Sequence, residues 1–278
     1  MGAARRGCAV TTLELWIYGF VQGATEFLPV SSSAHLYALE QLFGWPDAGR
    51  ALAVASHTGT LVAVIVACRS QVARLASGLL MLALGRSDQA EAREALRILA
   101  ASVPLFVAGV VVAIQVPTAT LAQLPVMAAA TAGGGLLLLA ADRGWLRFRS
   151  GRMDGFAAYW FIGLMQALAL VPGASRAGCV MTAARIAGWN RTASANVAFV
   201  LGLPAIAGAT AVEAWSLAQT GDVGLVTAAA TVLVVAFVAA LAAIWLLMRW
   251  LRQRSFLPFV IYRFVLAGLL AWMALHAT

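Results

Sequence analysis

Long apolar stretches, separated by short polar segments that contain arginine, form the pattern of this sequence. Six of the apolar runs approach or exceed the roughly 20 residues that a helix needs to cross a bilayer. These predicted spans are residues 51–68, 98–116, 121–141, 195–215, 223–248 and 256–276. They are too long for the roughly 10-residue alternating strands of a membrane β-barrel. The pattern therefore predicts an all-α integral membrane protein with six transmembrane helices.

Two further apolar pieces, residues 9–44 and 156–188, are each interrupted in the middle by proline and small polar residues. The first break reads PVSSS at 29–33 and the second reads PGASR at 172–176. Each half is too short to cross a bilayer on its own. We expect each piece to enter and leave the membrane on one side, so the sequence predicts two re-entrant helical hairpins that dip in from opposite faces.

All 19 basic residues are arginine, and with the 11 acidic residues they give a net charge of +8. The arginines concentrate in three connections, 69–97, 143–152 and 249–254, and the positive-inside rule makes these connections cytoplasmic. The connections at Pro117 and near Asp222 lack arginine and are predicted to lie outside. No basic stripe with interleaved aromatic residues remains, so nucleic acid is not an expected partner.

The order of elements is one hairpin and three spans, repeated once. Because three is odd, the second copy is inverted relative to the first, which predicts a single membrane domain of two repeats, roughly 9–141 and 156–277. Setting Pro29 over Pro172 places Ser32 over Ser175. Backbone that a break leaves unpaired must be buried in protein or line a wet cavity. The two breaks are therefore predicted to share one polar pocket.

Gln22 and Glu26 stand four residues apart just before the first break and share one face of a helix. A carboxylate in an apolar stretch is costly and usually functional, so Glu26 is a candidate base or cation ligand. The alternative is a carboxylate that only pairs or caps within the fold. If a divalent cation such as Mg²⁺ or Ca²⁺ binds, Glu26 and Gln22 are its expected protein ligands.

Ser31, Ser32 and Ser33 follow this break, and at least one of them is expected to cap the next helix. Ser32 and His35 are three residues apart, close enough for the imidazole to accept the serine proton. At the second break, Gly173, Ser175 and Arg176 stand at a predicted helix start. Unpaired backbone N–H groups, the positive helix end and a guanidinium together predict an anion site there.

The motifs TEFLPVSSSAH at 25–35, preceded by Gln22, and LVPGASRAG at 170–178 resemble the two signatures of the bacterial, membrane-embedded undecaprenyl-diphosphate phosphatases of the bacitracin-resistance type. HTGTLVAVIV at 57–66 and SFLPFVIYRF at 255–264 are similar to further family segments. The resemblance spans nearly the whole chain. It implies six spans, two opposed re-entrant hairpins and a place in the bacterial inner membrane.

The resemblance also implies an activity, the hydrolysis of undecaprenyl diphosphate to undecaprenyl phosphate and inorganic phosphate, which recycles the lipid carrier for peptidoglycan synthesis and confers bacitracin resistance. It implies Ser32 as nucleophile, His35 as the motif histidine, and Arg176 as the residue that holds phosphate. It places Glu26 and Gln22 at the family's two acid positions and Ser175 at the motif serine before the arginine. We therefore expect Ser32, His35, Glu26 and Arg176 to be catalytic. The expected substrate-binding residues are Gln22, Ser31, Ser33, Gly173, Ser175, Gly178 and Thr182.

The sequence departs from the family pattern after the arginine. Ala177 stands where the family often has serine and Val180 where it often has threonine, although Thr182 is close by. If those hydroxyls touch substrate, their loss weakens phosphate contacts by about 1–3 kcal/mol. A polyprenyl-phosphate flippase or small secondary transporter is the alternative function, because such proteins also use inverted repeats and broken helices. A degenerate family member and a homodimer also stay open.

Overall fold

The computed structural model describes residues 11–43, 49–116, 123–148, 151–220 and 226–276. Its regular structure is helical, and no strand occurs among these residues. Eleven α-helices follow one another along this part of the chain. They are α1 (Thr12–Glu26), α2 (Ser32–Phe43), α3 (Gly49–Ala67), α4 (Arg69–Ala83), α5 (Ala90–Gln115), α6 (Leu124–Asp142), α7 (Gly155–Gln166), α8 (Arg176–Ile186), α9 (Arg191–Thr220), α10 (Val226–Leu251) and α11 (Leu257–His276). The predicted all-α fold is confirmed.

Five of the predicted spans correspond to helices that are long and apolar enough to cross a membrane, namely α5, α6, α9, α10 and α11. Their outward faces carry exposed apolar side chains such as Ile114, Val265 and Leu275. Water-soluble proteins rarely expose this much apolar surface, whereas such a surface is expected where a protein contacts lipid. The chain is therefore a multi-pass membrane protein, as predicted.

The sixth predicted span, 51–68, corresponds to α3, but the chain does not simply leave the membrane after it. It bends by 92° at Cys68 and continues as α4, so that α3 and α4 together form one broken apolar unit. The stretch 69–97, predicted as a loop, is therefore mostly helical, with a connection of residues 84–89 between α4 and α5. The arginine count that assigns this stretch to one side does not distinguish a loop from an amphipathic helix.

Both interrupted apolar pieces form bent helix pairs in the described part of the chain. The first is α1 followed by α2; its predicted ends at residues 9 and 44 lie outside the described residues. The second is α7, a short 3₁₀ turn at Ala167–Leu170, and α8. That each pair enters and leaves on one membrane face stays a prediction.

Glycines allow the hairpins to pack closely against neighbouring spans. A Cβ atom on Gly19 would lie 2.9 Å from the carbonyl oxygen of Val232 on α10, and one on Gly163 would collide with the Ala101 carbonyl on α5. Helix α1 thus packs on α10 as α7 packs on α5, while α3 packs on α9 and α6 on α11. These pairings are compatible with the two predicted repeats, which stay a prediction. The inversion stays a prediction, and the outer connections at Pro117 and Asp222 lie outside the described residues.

A buried carboxylate fixes the ends of several helices on the side predicted as cytoplasmic. Asp142, at the end of α6, accepts two hydrogen bonds from Arg191, at 2.7 and 3.1 Å, and pairs with Arg185 at 3.2 Å. It also accepts a bond from the backbone N–H of Phe256, just before α11. Because α6, α8, α9 and α11 all depend on this group, Asp142 helps to hold α8 in place at the end opposite its break.

Candidate active site

Glu26, the last residue of α1, is the centre of a hydrogen-bonded group that joins the two hairpins. Its Oε2 atom accepts from Gln22 Nε2 at 3.0 Å and from Ser32 Oγ at 2.9 Å. Its Oε1 atom pairs with Arg176 Nη2 at 3.1 Å. The side chains of Glu26 and Arg176 are only 10% and 12% exposed. The structure thus brings together the predicted acid, nucleophile and phosphate-binding arginine from positions 150 residues apart in the chain.

The first break presents Ser32 to this carboxylate. Pro29 has no backbone N–H to continue α1, and Ser31 takes a left-handed conformation with φ of 76°. The chain therefore reverses direction, and α2 begins at Ser32 with its hydroxyl directed at Glu26. The Ser31 and Ser33 hydroxyls lie 3.2 Å apart beside it. A left-handed serine is an uncommon conformation, which is typical of a functional turn.

The second break presents Arg176 in a similar way. Gly173 has φ of 94°, and a Cβ there would lie 2.5 Å from the Met127 carbonyl, so glycine is required at this position. Ser175 is left-handed as well, with φ of 70°, and its Oγ caps α8 by accepting from the N–H of Gly178 at 3.1 Å. Helix α8 then begins at Arg176, whose Nη1 also donates to the Ala198 carbonyl.

The two breaks meet at one polar cavity of about 130 Å³. Its lining includes Glu26, the serines 31–33, Ser175 and Arg176. The N–H of Gly173 lies 3.5 Å from Ser33 Oγ across the junction of the hairpins. The sequence predicted a shared polar pocket, and in the structure the serines of the first break face the helix start of the second.

His35 does not line this cavity, and its hydrogen bonds go to groups other than Ser32. Its Nδ1 is 2.6 Å from the Ser31 carbonyl and its Nε2 is 2.6 Å from the hydroxyl of Tyr262, whose ring stacks on the imidazole. A carbonyl can only accept, so Nδ1 carries a proton and, in the neutral ring, Nε2 accepts from tyrosine. The group positioned to accept the Ser32 proton is therefore Glu26. The sequence analysis did not single out Tyr262.

An apolar groove of about 640 Å³ leads away from the polar cavity. The two share Glu26 and Arg176, and His57 lines the groove near them. Residues of α5 and α9 supply most of the remaining wall, among them Leu105, Val110, Ile206 and Val212, and the 3₁₀ turn adds Ala169 and Leu170. A small charged cavity that continues into a long apolar groove fits a molecule with an anionic head and an apolar tail.

Known proteins with a similar sequence identify the family of this chain. The family described as "Bacitracin resistance protein BacA" matches residues 15–269. This chain belongs to that family. The undecaprenyl-diphosphatase of Hahella chejuensis is 39% identical over 267 residues, 95% of this chain and 99% of that protein. The corresponding protein of Roseobacter denitrificans is 37% identical, covering 94% and 98% of the two chains.

A relative in Rhodospirillum rubrum, named undecaprenyl-diphosphatase 1, is 37% identical over 94% of this chain and 95% of its own length. Nearly complete coverage in both directions means that the hairpins and the spans are shared together. With its apolar helices, the chain is therefore a multi-pass protein of the bacterial inner membrane.

The departures from the family pattern lie away from the polar cavity. Ala177 and Val180 are almost completely buried in the main apolar cluster around α8, and neither lines the cavity. In this geometry the missing hydroxyls remove no group that faces Ser32. Gly178 and Thr182 line a separate space of about 20 Å³, so their predicted contact with substrate stays a prediction.

The donors around Glu26 suit a cation only in part. The described residues contain no group of three or more His, Cys, Asp or Glu side chains placed to hold a metal. Glu26 is the one carboxylate of the cavity lining, and it is paired with Arg176. Magnesium is usually held by one or two carboxylates together with phosphate oxygens and water. A cation here would therefore depend on the oxygens of a bound phosphate in addition to Glu26 and Gln22.

Arg263 on α11 is a residue of the site that the sequence analysis missed. It is fully buried and donates to the Pro29 carbonyl of the first break and to the Gly173 and Ala174 carbonyls of the second. The available signal was a single arginine inside an apolar span, within the segment SFLPFVIYRF. Charged residues inside a span are rare and usually functional, whereas the arginines that set topology lie between spans.

Proposed function

We propose that this chain hydrolyses undecaprenyl diphosphate to undecaprenyl phosphate and inorganic phosphate, which recycles the lipid carrier for peptidoglycan synthesis and confers bacitracin resistance. The observation that carries the proposal is the meeting of Glu26, Ser32 and Arg176 in a polar cavity that continues into an apolar groove. The names of the relatives support the same activity. Each methylene buried in the groove contributes about 0.8 kcal/mol to binding of the prenyl chain.

In this proposal the second break binds the diphosphate. The first N–H groups of α8 lie at the cavity end of the helix, together with the positive end of the helix dipole. The N–H of Gly178 is bonded to Ser175 Oγ, so the groups that precede Gly178 are the ones left for phosphate. Arg176 adds a planar guanidinium that suits phosphate oxygens. Its ion pair with Glu26 holds it in place before substrate binds, and an arriving phosphate takes over one side of that guanidinium.

Ser32 and Glu26 perform the first chemical step. Glu26 Oε2 accepts the proton from Ser32 Oγ, which forms a bond to the terminal phosphorus. The anhydride P–O bond breaks, and its electron pair leaves with undecaprenyl phosphate, which takes the proton from Glu26. Water then gives a proton to Glu26 and bonds to the phosphorus of phosphoserine. The Ser32 Oγ–P bond breaks, the proton returns to Ser32, and inorganic phosphate is released.

A direct attack by water is the competing form of this reaction, with Ser32 only holding phosphate. The two are separated by comparing Ser32→Ala with Ser33→Ala, since both remove a hydroxyl from the cavity but only Ser32 donates to Glu26. Acid quenching with substrate labelled on the terminal phosphate should trap label on the wild-type protein and on Ser33→Ala. Retention of most turnover in Ser32→Ala would rule out the covalent form.

We further propose that Mg²⁺ or Ca²⁺ assists when the diphosphate is bound, with Glu26 and Gln22 as its protein ligands. Such a cation, held by these two residues, would supply further positive charge to the phosphate oxygens. Turnover should then rise with cation concentration after chelation, and Gln22→Leu should require several times more cation for half-maximal turnover than the wild type. An unchanged cation requirement in Gln22→Leu would remove this residue from the proposal.

The first experiment is phosphate release from undecaprenyl diphosphate by the purified protein in detergent, with wild type, Glu26→Ala and Arg176→Ala compared. Release that is lost in both variants supports the proposal. No release from folded wild type would favour the flippase or transporter, to be tested by movement of labelled lipid phosphate across vesicles. We expect no nucleic-acid partner. If the protein forms a homodimer, detected by light scattering, it should show two independent sites, because Glu26, Ser32 and Arg176 all come from one chain.

A further inference from the structure

Arg263 has no carboxylate partner, although its charge lies in the interior of a membrane protein. Among the residues that the structure describes, no acidic group lies within ion-pairing distance of it, and its side chain is fully buried. Backbone carbonyls take the place of a counter-ion. Nε donates to Thr131 at 2.9 Å, Nη1 to Pro29 at 3.2 Å, and Nη2 to Ala130, Gly173 and Ala174 at 3.1–3.2 Å.

These acceptors belong to three separate parts of the chain. Pro29 is in the first break, Gly173 and Ala174 are in the second, and the remaining two carbonyls are on α6. Carbonyls at a broken helix lack their usual N–H partners, and in a membrane each unpaired group costs several kcal/mol. One guanidinium therefore satisfies backbone groups at both breaks at once.

Glycines on two helices make the space that this guanidinium occupies. A Cβ on Gly134 of α6 would collide with Arg263 Nη2, and one on Gly178 of α8 would lie 3.0 Å from Nη1. Gly133, the immediate neighbour of Gly134 on α6, has no atom near the place of its absent Cβ. Of these two neighbouring glycines on α6, only Gly134 is needed to leave space for the guanidinium.

We propose that Arg263 is a positioning residue that fixes the two breaks relative to each other, so that Ser32 and Glu26 face Arg176 across the polar cavity. The proposal rests on the proposed phosphatase activity, because it assigns no new substrate. Pro29 precedes Ser32 by three residues, and Ala174 precedes Arg176 by two. A shift of either carbonyl therefore moves one half of the reacting group, and a displacement of about 1 Å can cost on the order of 10²-fold in rate.

A lysine cannot replace this function. Arginine presents five N–H donors in a rigid planar fork, whereas lysine presents three donors on one flexible point charge. Lysine could preserve the positive charge behind the cavity but could not reach carbonyls on both breaks. A role of Arg263 through charge alone and a role through positioning therefore give opposite results for Arg263→Lys.

The test uses Gly134→Ala and Gly133→Ala as a matched pair, since alanine favours the helix at both positions and only one methyl group meets Arg263. With undecaprenyl diphosphate in detergent, Gly134→Ala and Arg263→Lys should each lower kcat at least tenfold, with KM within threefold of wild type. Gly133→Ala should stay within twofold in both. Equal kinetics for the two glycine variants, or full kcat in Arg263→Lys, would overturn the proposal.

A second measurement separates this proposal from the proposed activity. Hydrogen–deuterium exchange of the detergent-purified protein should show faster exchange in peptides covering both breaks in Gly134→Ala, and wild-type exchange there in Gly133→Ala. Faster exchange spread evenly over α6 and α11, with a lower unfolding temperature, would indicate general destabilisation and would overturn the positioning role. If wild type releases no phosphate, the exchange pattern still tests the contact between the breaks.

Discussion

The two breaks share a backbone conformation but carry different chemistry. Ser31 and Ser175 have nearly the same left-handed φ, 76° and 70°, and each immediately precedes a helix that starts at the cavity. If Ser31 is aligned with Ser175, the two breaks are offset by one residue from the alignment of Pro29 with Pro172. The predicted repeat can therefore be aligned on backbone conformation as well as on proline, and the two alignments differ by one residue.

When Ser31 is aligned with Ser175, the side chains that matter most at one break are replaced by different types at the other. Four pairs show the division: Gln22 with Gln166, Glu26 with Leu170, Ser32 with Arg176 and His35 with Cys179. In the proposed mechanism the first break holds the groups that move protons, and the second holds the fixed cation. Neither break is a phosphatase site alone. This difference explains why the second motif, PGASR, is weak evidence without the first break opposite it.

The largest effect is expected from removing the acid that only the first break has. Glu26→Gln keeps the shape of the side chain but loses both the base for Ser32 and the charge that holds Arg176. Turnover of undecaprenyl diphosphate should fall by about 10³-fold, within the range usual for a general base. Asp88→Asn, in the exposed turn before α5, is the control and should behave as wild type. A loss below tenfold in Glu26→Gln would return the role of base to His35.

A somewhat smaller effect is expected from weakening the cation that only the second break has. Arg176→Lys keeps the charge but loses the second contact of the fork, so turnover should fall by about 10²-fold. Product inhibition by inorganic phosphate should weaken in parallel, which ties the loss to phosphate binding. Arg254→Lys, at an exposed position before α11, is the matched control. Unchanged phosphate inhibition in Arg176→Lys would contradict the anion-binding role of the second break.

Sequence reasoning found the groups that stand out chemically from their surroundings. Glu26, Ser32 and Arg176 are polar residues next to helix breakers in apolar segments, and this local contrast can be read without a structure. It missed Arg263 and Tyr262, because they reach the site from α11, more than 200 residues away from the first break. No local pattern records which carbonyl or imidazole a distant side chain meets.

The same limit explains the errors in the fold. Five spans are predictable because length and hydropathy are local properties of the sequence. Helix α4 was predicted as loop because its stability depends on packing against α5, where Gly78 lets the Glu91 backbone approach. The positions of Ala177 and Val180 could not be judged from a motif either, since their burial follows from how α8 packs.

A moderate effect is expected at the histidine that the first break has and the second lacks. Tyr262→Phe removes only the hydroxyl that binds His35 Nε2, and it leaves the stacked ring in place. The loss of one such hydrogen bond should lower turnover by about 3- to 10-fold, equivalent to roughly 1 kcal/mol. Tyr159→Phe, which lies against Trp189, is the control. A loss as large as that of Glu26→Gln would show that tyrosine takes part in proton transfer itself.

The smallest effect on turnover is expected at Gln166, which aligns with Gln22 of the first hairpin. Gln22 binds Glu26, but Gln166 is fully buried and neither its side-chain nitrogen nor its oxygen has a protein partner among the described residues. An unpaired buried amide costs about 1–3 kcal/mol, so Gln166→Leu should raise the unfolding temperature while turnover stays within twofold.

Gln22→Leu should give the opposite result, with lower turnover and little gain in stability, because its amide is paired with the catalytic carboxylate. Thermal unfolding and phosphate release measured on both variants complete the comparison. If Gln166→Leu instead lost activity without losing stability, the second break would carry a polar function beyond anion binding. Gln166 would then belong to the groups that take part in the reaction, and the second break would supply more than the fixed cation.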